Sequence, residues 1–123
     1  MRVLIVDDNI DTCRVLSRLL ARDGFDVSCV HRGDEALKQL RENHPRLVLL
    51  DWMMPDMDGL QVLREMRQDH GLDQVAVIMF SALSEPTRIG DALRLGADDY
   101  IVKGTPYTDV LSRLVRVTHL SDV

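Results

Sequence analysis

Short apolar runs alternate with longer stretches in which hydrophobic residues recur every three or four positions, and this alternation repeats five times. The runs lie at 2–6, 47–50, 75–80 and 100–102, and a weaker one alternates apolar and polar residues at 25–29. Continuous apolar runs are typical of strands buried on both faces, and the longer spacing is typical of amphipathic helices. The pattern predicts an α/β fold, a five-stranded parallel sheet with helices on both faces.

Polar residues and prolines beside the helical stretches predict where helices begin. Asp34 is expected to open the second helix. Ser84 is expected to cap the fourth helix, with Pro86 in its first turn. Thr105 is expected to cap the last helix, with Pro106 at the first helical position.

Length and charge predict one cytoplasmic domain spanning residues 1–123. The net charge is −5 without a basic cluster, so nucleic acid is not expected as a direct partner, and no apolar run is long enough to cross a membrane. Cys13 and Cys29 lack the spacing of a metal or redox motif and are expected to be reduced core residues. The histidines are expected at the surface: His31, His44, His70 and His119.

Residues capable of phosphate chemistry follow four of the apolar runs. Asp7 and Asp8 follow the first, Asp51 the third, Ser81 the fourth and Lys103 the fifth. The carboxyl ends of parallel strands share one edge of a sheet, and open α/β sheets bind ligands at that edge where the strand order reverses. We therefore expect these side chains to converge.

Three carboxylates at one edge repel each other unless positive charge joins them. Lys103 supplies one positive charge, and Mg²⁺, which prefers oxygen ligands, would supply the rest. Asp51 is the strongest candidate, because it ends a strand that is apolar on both faces and no helix begins there. Ser81 is either a turn hydroxyl or a ligand contact, and Tyr100 suits either core packing or a switch.

Taken together, these motifs resemble the receiver domain of two-component response regulators. The resemblance is carried by Asp7-Asp8, by DWMMPDMDG at 51–59, by Ser81-Ala82 and by DDYIVK at 98–103, and it spans the chain. It implies a flavodoxin-like (βα)5 fold with strand order 2-1-3-4-5. It also implies a regulatory protein that is not an enzyme, although it takes part in its own phosphotransfer and dephosphorylation.

The resemblance assigns roles to the charged residues. Asp51 would be the phosphoacceptor, taking a phosphoryl group from a phosphohistidine of a sensor histidine kinase or phosphotransfer protein. Asp8, Asp7 through water, and the backbone carbonyl of Met53 would hold Mg²⁺ beside it. Lys103 would contact the phosphoryl oxygens.

The resemblance also implies a switch and further partners. The Ser81 hydroxyl would move onto the phosphoryl group, and the ring of Tyr100 would turn inward into the vacated space. This would change the surface around the fourth and fifth helices, which a downstream effector domain or protein reads. A second copy of the chain is a further candidate partner.

One departure and two alternatives stay open at this point. The family usually has proline after its lysine, whereas Gly104 follows Lys103 here. The chain could therefore be a degenerate receiver that docks or dimerises without phosphorylation. It could also be a phosphohydrolase, because Asp56-Met57-Asp58-Gly59 imitates an Asp-x-Asp-Gly signature, although this segment lies in a loop after Pro55.

Overall fold

A computed structural model describes residues 1–120, so the last three residues of the predicted domain lie outside the described residues. Strands and helices alternate along this part of the chain, as the apolar pattern predicts. The strands are β1 Arg2–Val6, β2 Asp26–Val30, β3 Leu47–Leu50, β4 Ala76–Ser81 and β5 Asp99–Val102. The helices are α1 Ile10–Arg22, α2 Gly33–Asn43, α3 Gly59–Gln68, α4 Pro86–Leu95 and α5 Tyr107–Leu120, with a short 3₁₀ helix at His70–Leu72.

The five strands form one parallel sheet in the order β2-β1-β3-β4-β5, which confirms the predicted fold class. The order reverses between β1 and β3, so a crevice forms where these two strands end. Val6 pairs with Leu50, the last residues of β1 and β3. The residues that follow these strands are thereby brought side by side.

Alternate residues of the central strands face two separate hydrophobic cores. Val3 and Ile5 of β1 belong to the core under α1 and α5, whereas Leu4 and Val6 belong to the core under α2, α3 and α4. Because side chains alternate across a strand, a strand must be apolar on both faces to supply both cores. The two cores hold the sheet between two helical layers.

Several predicted helix starts are wrong in detail. Pro86 is the first residue of α4, as expected, but the preceding Glu85 occupies the cap position and Ser84 does not cap. At α5, the Thr105 hydroxyl donates to the Val102 carbonyl, and Pro106 lies before the helix, accepting its first backbone hydrogen bond. At α5, the Thr105 hydroxyl is thus engaged with the loop that precedes the helix.

The start of α2 also differs from the prediction, because Arg32 occupies the cap position and provides no side-chain cap. Asp34 lies within the first turn, where its carboxylate accepts from the Glu35 N–H. A carboxylate there favours the positive end of the helix dipole without defining the boundary. No described helix is both long and apolar enough to span a membrane.

Candidate functional site

The ends of β1 and β3 bring three carboxylates together. The Asp51 N–H donates to the Val6 carbonyl at 2.9 Å, which extends the sheet pairing by one residue beyond the end of β3. One carboxylate oxygen from each of Asp7, Asp8 and Asp51 lies within 4.8 Å of the others. Asp7 and Asp51 are buried and Asp8 is exposed, so the group forms a cup that opens to solvent on one side.

The end of β5 brings an ammonium group to the same place. The Lys103 N–H donates to the Ser81 carbonyl at 2.8 Å, so the ends of β4 and β5 are held together. Lys103 Nζ then lies 2.7 Å from Asp7 Oδ2 and 3.0 Å from Asp51 Oδ2. The lysine bridges the two buried carboxylates.

Burial and charge act against each other in this cluster. Burial raises the pKa of Asp7, opposed by the hydrogen bond and charge of Lys103. For Lys103, burial alone would lower the pKa, but the hydrogen bonds and charges of Asp7 and Asp51 outweigh it and raise the pKa above its usual value. Lys103 therefore stays charged, yet one ammonium cannot balance three ionised carboxylates.

The residues present fit a hard divalent cation. All three side chains offer carboxylate oxygens, the ligands that Mg²⁺ prefers, and the exposed Asp8 leaves room for the waters that Mg²⁺ retains. Asp7 Oδ2 is buried and lies 2.7 Å from Lys103 Nζ. The cluster could thus hold a metal ion. Met53 lies beside it, with its N–H 3.3 Å from Asp51 Oδ1.

The loop after Asp51 folds back tightly onto that residue. The Gly59 N–H donates to the Trp52 carbonyl at 2.8 Å, and a Cβ at position 59 would lie 2.0 Å from the Asp51 carbonyl oxygen. Only glycine allows this approach, which places the start of α3 directly under the acidic cluster. The Asp58 carboxylate caps α3 by accepting from the Gln61 N–H.

The acids of this loop are engaged away from the cluster. Asp56 forms an ion pair with Arg32 at 3.5 Å, and Asp58 serves as the α3 cap. A phosphohydrolase of the Asp-x-Asp-Gly type would need the first of these carboxylates as its nucleophile. The structure gives both carboxylates other partners, which does not favour that alternative.

Ser81 and Tyr100 lie in contact behind the cluster. Ser81 is fully buried, and its hydroxyl oxygen accepts from the Leu83 N–H at 3.3 Å. The Tyr100 ring is also buried, with its hydroxyl donating to the Leu83 carbonyl at 2.6 Å. Burial is the main cause that raises the pKa of Tyr100, and a hydrogen bond with Ser81 opposes it. The tyrosine thus occupies an inward position beside the serine.

His31 is a contact that the sequence prediction missed. It is half-buried, and its Nδ1 lies 2.9 Å from the Asp7 carbonyl oxygen, so a surface position is wrong for this histidine. His31 directly follows β2, the neighbour of β1, and therefore reaches the same edge of the sheet. The position of His31 directly after a predicted strand was the signal in the sequence that could have indicated this contact.

The surroundings of Trp52 were also unforeseen, whereas Gly104 had already indicated a departure from the family in the loop after Lys103. The Arg88 guanidinium of α4 lies 5.6 Å from the centre of the Trp52 ring, beside a cleft that includes Asp8. Gly104 has φ +100°, and no cis peptide bond occurs among residues 1–120. Proline is restricted to φ near −65°, so the loop has a backbone that a proline at this position could not adopt.

Comparison with known proteins agrees with this geometry. The family model described as the response regulator receiver domain matches residues 3–115. A probable transcriptional regulator, ycf27 of Porphyridium aerugineum, is 42% identical over 102 residues, which are 83% of this chain and 41% of that protein. The chain therefore spans less than half the length of this curated relative.

Solved structures of similar domains superimpose along almost the whole chain. The BeF3-activated N-terminal receiver domain of RstA from Klebsiella pneumoniae is 30% identical, with a TM-score of 0.90, and covers 96% of this chain and 98% of its own. CheY in the CheX-CheY-BeF3-Mg complex from Borrelia burgdorferi is 32% identical, with a TM-score of 0.88 and coverages of 95% and 88%. The chain belongs to the response regulator receiver domains, the regulatory signalling domains of two-component systems.

Proposed function

We propose that Asp51 accepts a phosphoryl group from a phosphohistidine of a sensor histidine kinase or of a phosphotransfer protein. The supporting observation is the meeting of Asp7, Asp8 and Asp51 within 4.8 Å, with Lys103 Nζ 3.0 Å from Asp51 Oδ2. Crowded carboxylates at the end of buried strands cost stability, so a purely structural role does not account for them. Phosphoryl transfer gives each of these groups a task.

The reaction is a displacement at phosphorus. A carboxylate oxygen of Asp51 forms the new P–O bond while the P–N bond to the donor imidazole breaks, and the imidazole keeps that electron pair. The product is an acyl phosphate. Lys103 lies close enough to Asp51 to contact the phosphoryl oxygens, where an ammonium stabilises the charge of the transition state.

Mg²⁺ is the cofactor that the donor set supports best. We infer that Asp8, Asp7 and Asp51, with the backbone carbonyl of Met53, hold it. When bound, Mg²⁺ would neutralise the negative charge that the carboxylates and the phosphoryl oxygens bring together. The similar CheY structure is described as a complex with BeF3 and Mg²⁺, which supports this choice.

Phosphorylation would act on the chain through Ser81 and Tyr100. A phosphoryl group brings about −1.5 to −2 charge and three acceptor oxygens. It therefore offers the Ser81 hydroxyl a stronger hydrogen-bond partner than the Leu83 N–H that it contacts in the structure. Leu83 ties both residues to the loop before α4, and Arg113 of α5 donates to the Tyr100 carbonyl at 3.0 Å. A change at Asp51 therefore has a contact route to the surface around α4 and α5.

The proposal also extends to location and partners. We infer a domain covering residues 1–123 that works in the cytoplasm as a regulatory protein, without a direct contact to nucleic acid or membrane. Both cysteines are free, which suits a reducing compartment. An effector domain or protein would read the switched surface, and a second copy of the chain is a further candidate.

Phosphotransfer from a small donor tests the proposal. With Mg²⁺ and acetyl phosphate, the intact mass of the protein should rise by one phosphoryl group, and the product should be labile to base. Asp51→Asn should prevent the gain while keeping the side-chain volume. Asp56→Asn is the matched control, because Asp56 is another acid of the same loop and pairs with Arg32.

Two outcomes would contradict the assignment. Full labelling of Asp51→Asn would place the phosphoacceptor elsewhere. No labelling of the parent chain by either acetyl phosphate or a phosphorylated histidine donor would favour the degenerate receiver, which acts by docking alone.

A further inference from the structure

A second cluster of reactive side chains joins α1 to β2, away from the acidic carboxylates. Cys13 of α1 and Cys29 of β2 are both free. Cys29 Sγ lies 3.9 Å from the Cys13 carbonyl oxygen and 2.9 Å from the Ser17 hydroxyl one turn further along α1. The two cysteines thus face each other across the contact between a helix and an edge strand.

The two thiols differ in their access to solvent. Cys13 is only 3% exposed, whereas Cys29 is half-buried on the outermost strand of the sheet. A small oxidant therefore reaches Cys29 first. Cys13, whose carbonyl oxygen lies 3.9 Å from Cys29 Sγ, is the neighbouring residue with a thiol that can attack an oxidised Cys29.

The surroundings of Cys29 also favour its reactive form. The neighbouring Cys13 lowers the pKa of Cys29 to about 6, with burial opposing this effect and the Ser17 hydroxyl adding to it. The thiolate is the nucleophile in oxidation by peroxides, and reactive cysteines have lowered pKa values and partial exposure. Cys29 meets both conditions.

We propose that Cys29 and Cys13 are a peroxide-sensitive pair that closes to an internal disulfide. The Cys29 thiolate attacks one oxygen of hydrogen peroxide, an S–O bond forms, the O–O bond breaks, and hydroxide leaves. Cys13 sulfur then attacks Cys29 sulfur, the S–S bond forms as the S–O bond breaks, and the departing hydroxide takes the Cys13 proton as water. The two thiols lose two electrons in total, and one peroxide is reduced to two waters.

The position of the pair gives this modification a structural context. The Cys13 thiol donates to the Asp7 carbonyl at 3.4 Å, the same oxygen that His31 contacts. A disulfide would remove that donor and fasten the first half of α1 to β2. The linkage would therefore form beside the strand end that carries Asp7, while the carboxylates themselves take no part in it.

Mass spectrometry of the full chain tests the pair directly. After treatment with hydrogen peroxide, the denatured, unreduced monomer should have lost two hydrogen atoms and should no longer react with iodoacetamide. Trypsin should release peptides 3–14 and 23–32 as one linked species that separates on reduction. In Cys13→Ser, Cys29 should stop at the sulfenic acid and be trapped by dimedone. In Cys29→Ser, Cys13 should remain a thiol.

The parent chain alone can overturn the proposal, whether or not the variants fold. A mass that only gains oxygen, two thiols that stay open to alkylation, or a disulfide found between two chains would each rule out the internal pair. Dimedone labelling of Cys13 in place of Cys29 would reverse the proposed order of attack.

Discussion

Asp8 is the one exposed carboxylate of the acidic cluster, and its removal should separate metal binding from folding. A ligand that binds only the folded state stabilises it, by about 2.7 kcal/mol at a hundredfold excess over its Kd. We expect Mg²⁺ to raise the denaturation midpoint of the parent chain and to have no such effect on Asp8→Ala. The variant without Mg²⁺ should be at least as stable as the parent, because a like charge has been removed.

Asp11→Ala is the matched control for this measurement. Asp11 is also an exposed acid near the start of α1, but its partner is Arg14 at 3.8 Å. It should keep the Mg²⁺ response. An equal response in Asp8→Ala and the parent would exclude Asp8 from the metal site.

A second residue-scale prediction concerns Tyr107 and alkaline pH. Burial raises the pKa of Tyr107 to about 12, and its hydrogen bond to Asp23 at 2.6 Å adds to the effect. The folded chain favours the neutral phenol, so this contribution to stability is complete below pH 10 and is lost between about pH 10 and 12.

Titration followed by tyrosinate absorbance, together with denaturation at each pH, measures this contribution. The chain has two tyrosines, so Tyr107→Phe leaves only Tyr100, whose pKa burial also raises. The variant should lose the tyrosinate signal near pH 12 and part of the parent's fall in stability between pH 10 and 12. Unchanged titration and stability curves would contradict an ordered contact between Tyr107 and Asp23.

At the scale of elements, the start of α3 depends on one glycine. A methyl group at position 59 would lie 2.0 Å from the Asp51 carbonyl oxygen, so the helix or the loop must move. We expect Gly59→Ala to lower the free energy of unfolding by about 1–3 kcal/mol and to reduce labelling at Asp51. Denaturant unfolding and the acetyl phosphate assay measure the two effects.

Gly90→Ala gives the comparison within another helix. Gly90 lies inside α4, and the nearest atom to an added Cβ, 3.2 Å away, belongs to the side chain of Arg94. That side chain is exposed and can move, so the better helix propensity of alanine should raise stability by up to about 1 kcal/mol. If Gly59→Ala were equally harmless, the close approach of α3 to Asp51 would be wrong.

At the scale of the whole molecule, the switch needs more energy than one contact provides. A change from 1:99 to 99:1 requires about 5.5 kcal/mol of differential binding, whereas a charge-assisted hydrogen bond from Ser81 contributes about 1.5–3 kcal/mol. Lys103 and the loops around the site must supply the remainder. Ser81→Ala should therefore weaken the switch without preventing phosphorylation of Asp51.

Trp52 and Tyr100 report on the two ends of this coupling. Trp52 is the only tryptophan, follows Asp51 directly and is 8% exposed, so Mg²⁺ and beryllium fluoride should each give a saturable change in its fluorescence. In Ser81→Ala that change should persist, while the shift that beryllium fluoride causes in the Tyr100 NMR signals should diminish. The same Tyr100 shift in both chains would mean that phosphorylation of Asp51 acts on the surface without the Ser81 hydroxyl, and the Gly104 loop would be the first alternative route.

Much of this architecture was predictable because the apolar runs and the residues that follow them indicate the same fold. The runs at 2–6 and 47–50 are apolar at every position but one, so they had to be central strands, and they are β1 and β3. Parallel strands end at one edge, which is why Asp7, Asp51 and Lys103 could be expected to meet. The strand order came from family resemblance, and the structure confirms it.

The details that the sequence did not predict have both local and distant causes. Ser84 and Thr105 have side chains suited to capping, but Glu85 occupies the cap position of α4, and the Thr105 hydroxyl donates to the Val102 carbonyl. His31 contacts the Asp7 carbonyl across 24 positions of sequence. Secondary-structure propensity depends on a residue and its neighbours in sequence, so it does not predict a contact such as that of His31, which forms only when the chain folds.

The sequence by itself determined the elements, the two-sided sheet and which residues gather at its carboxyl edge, because hydrophobic periodicity and strand direction are local properties of the chain. Only the tertiary structure decided the distances and pairings. In the structure, Lys103 bridges Asp7 and Asp51, Asp56 forms an ion pair with Arg32, and the Cys29 thiol contacts the Cys13 carbonyl. These pairings depend on how the loops close, and loop closure is fixed by the packing of all five units together.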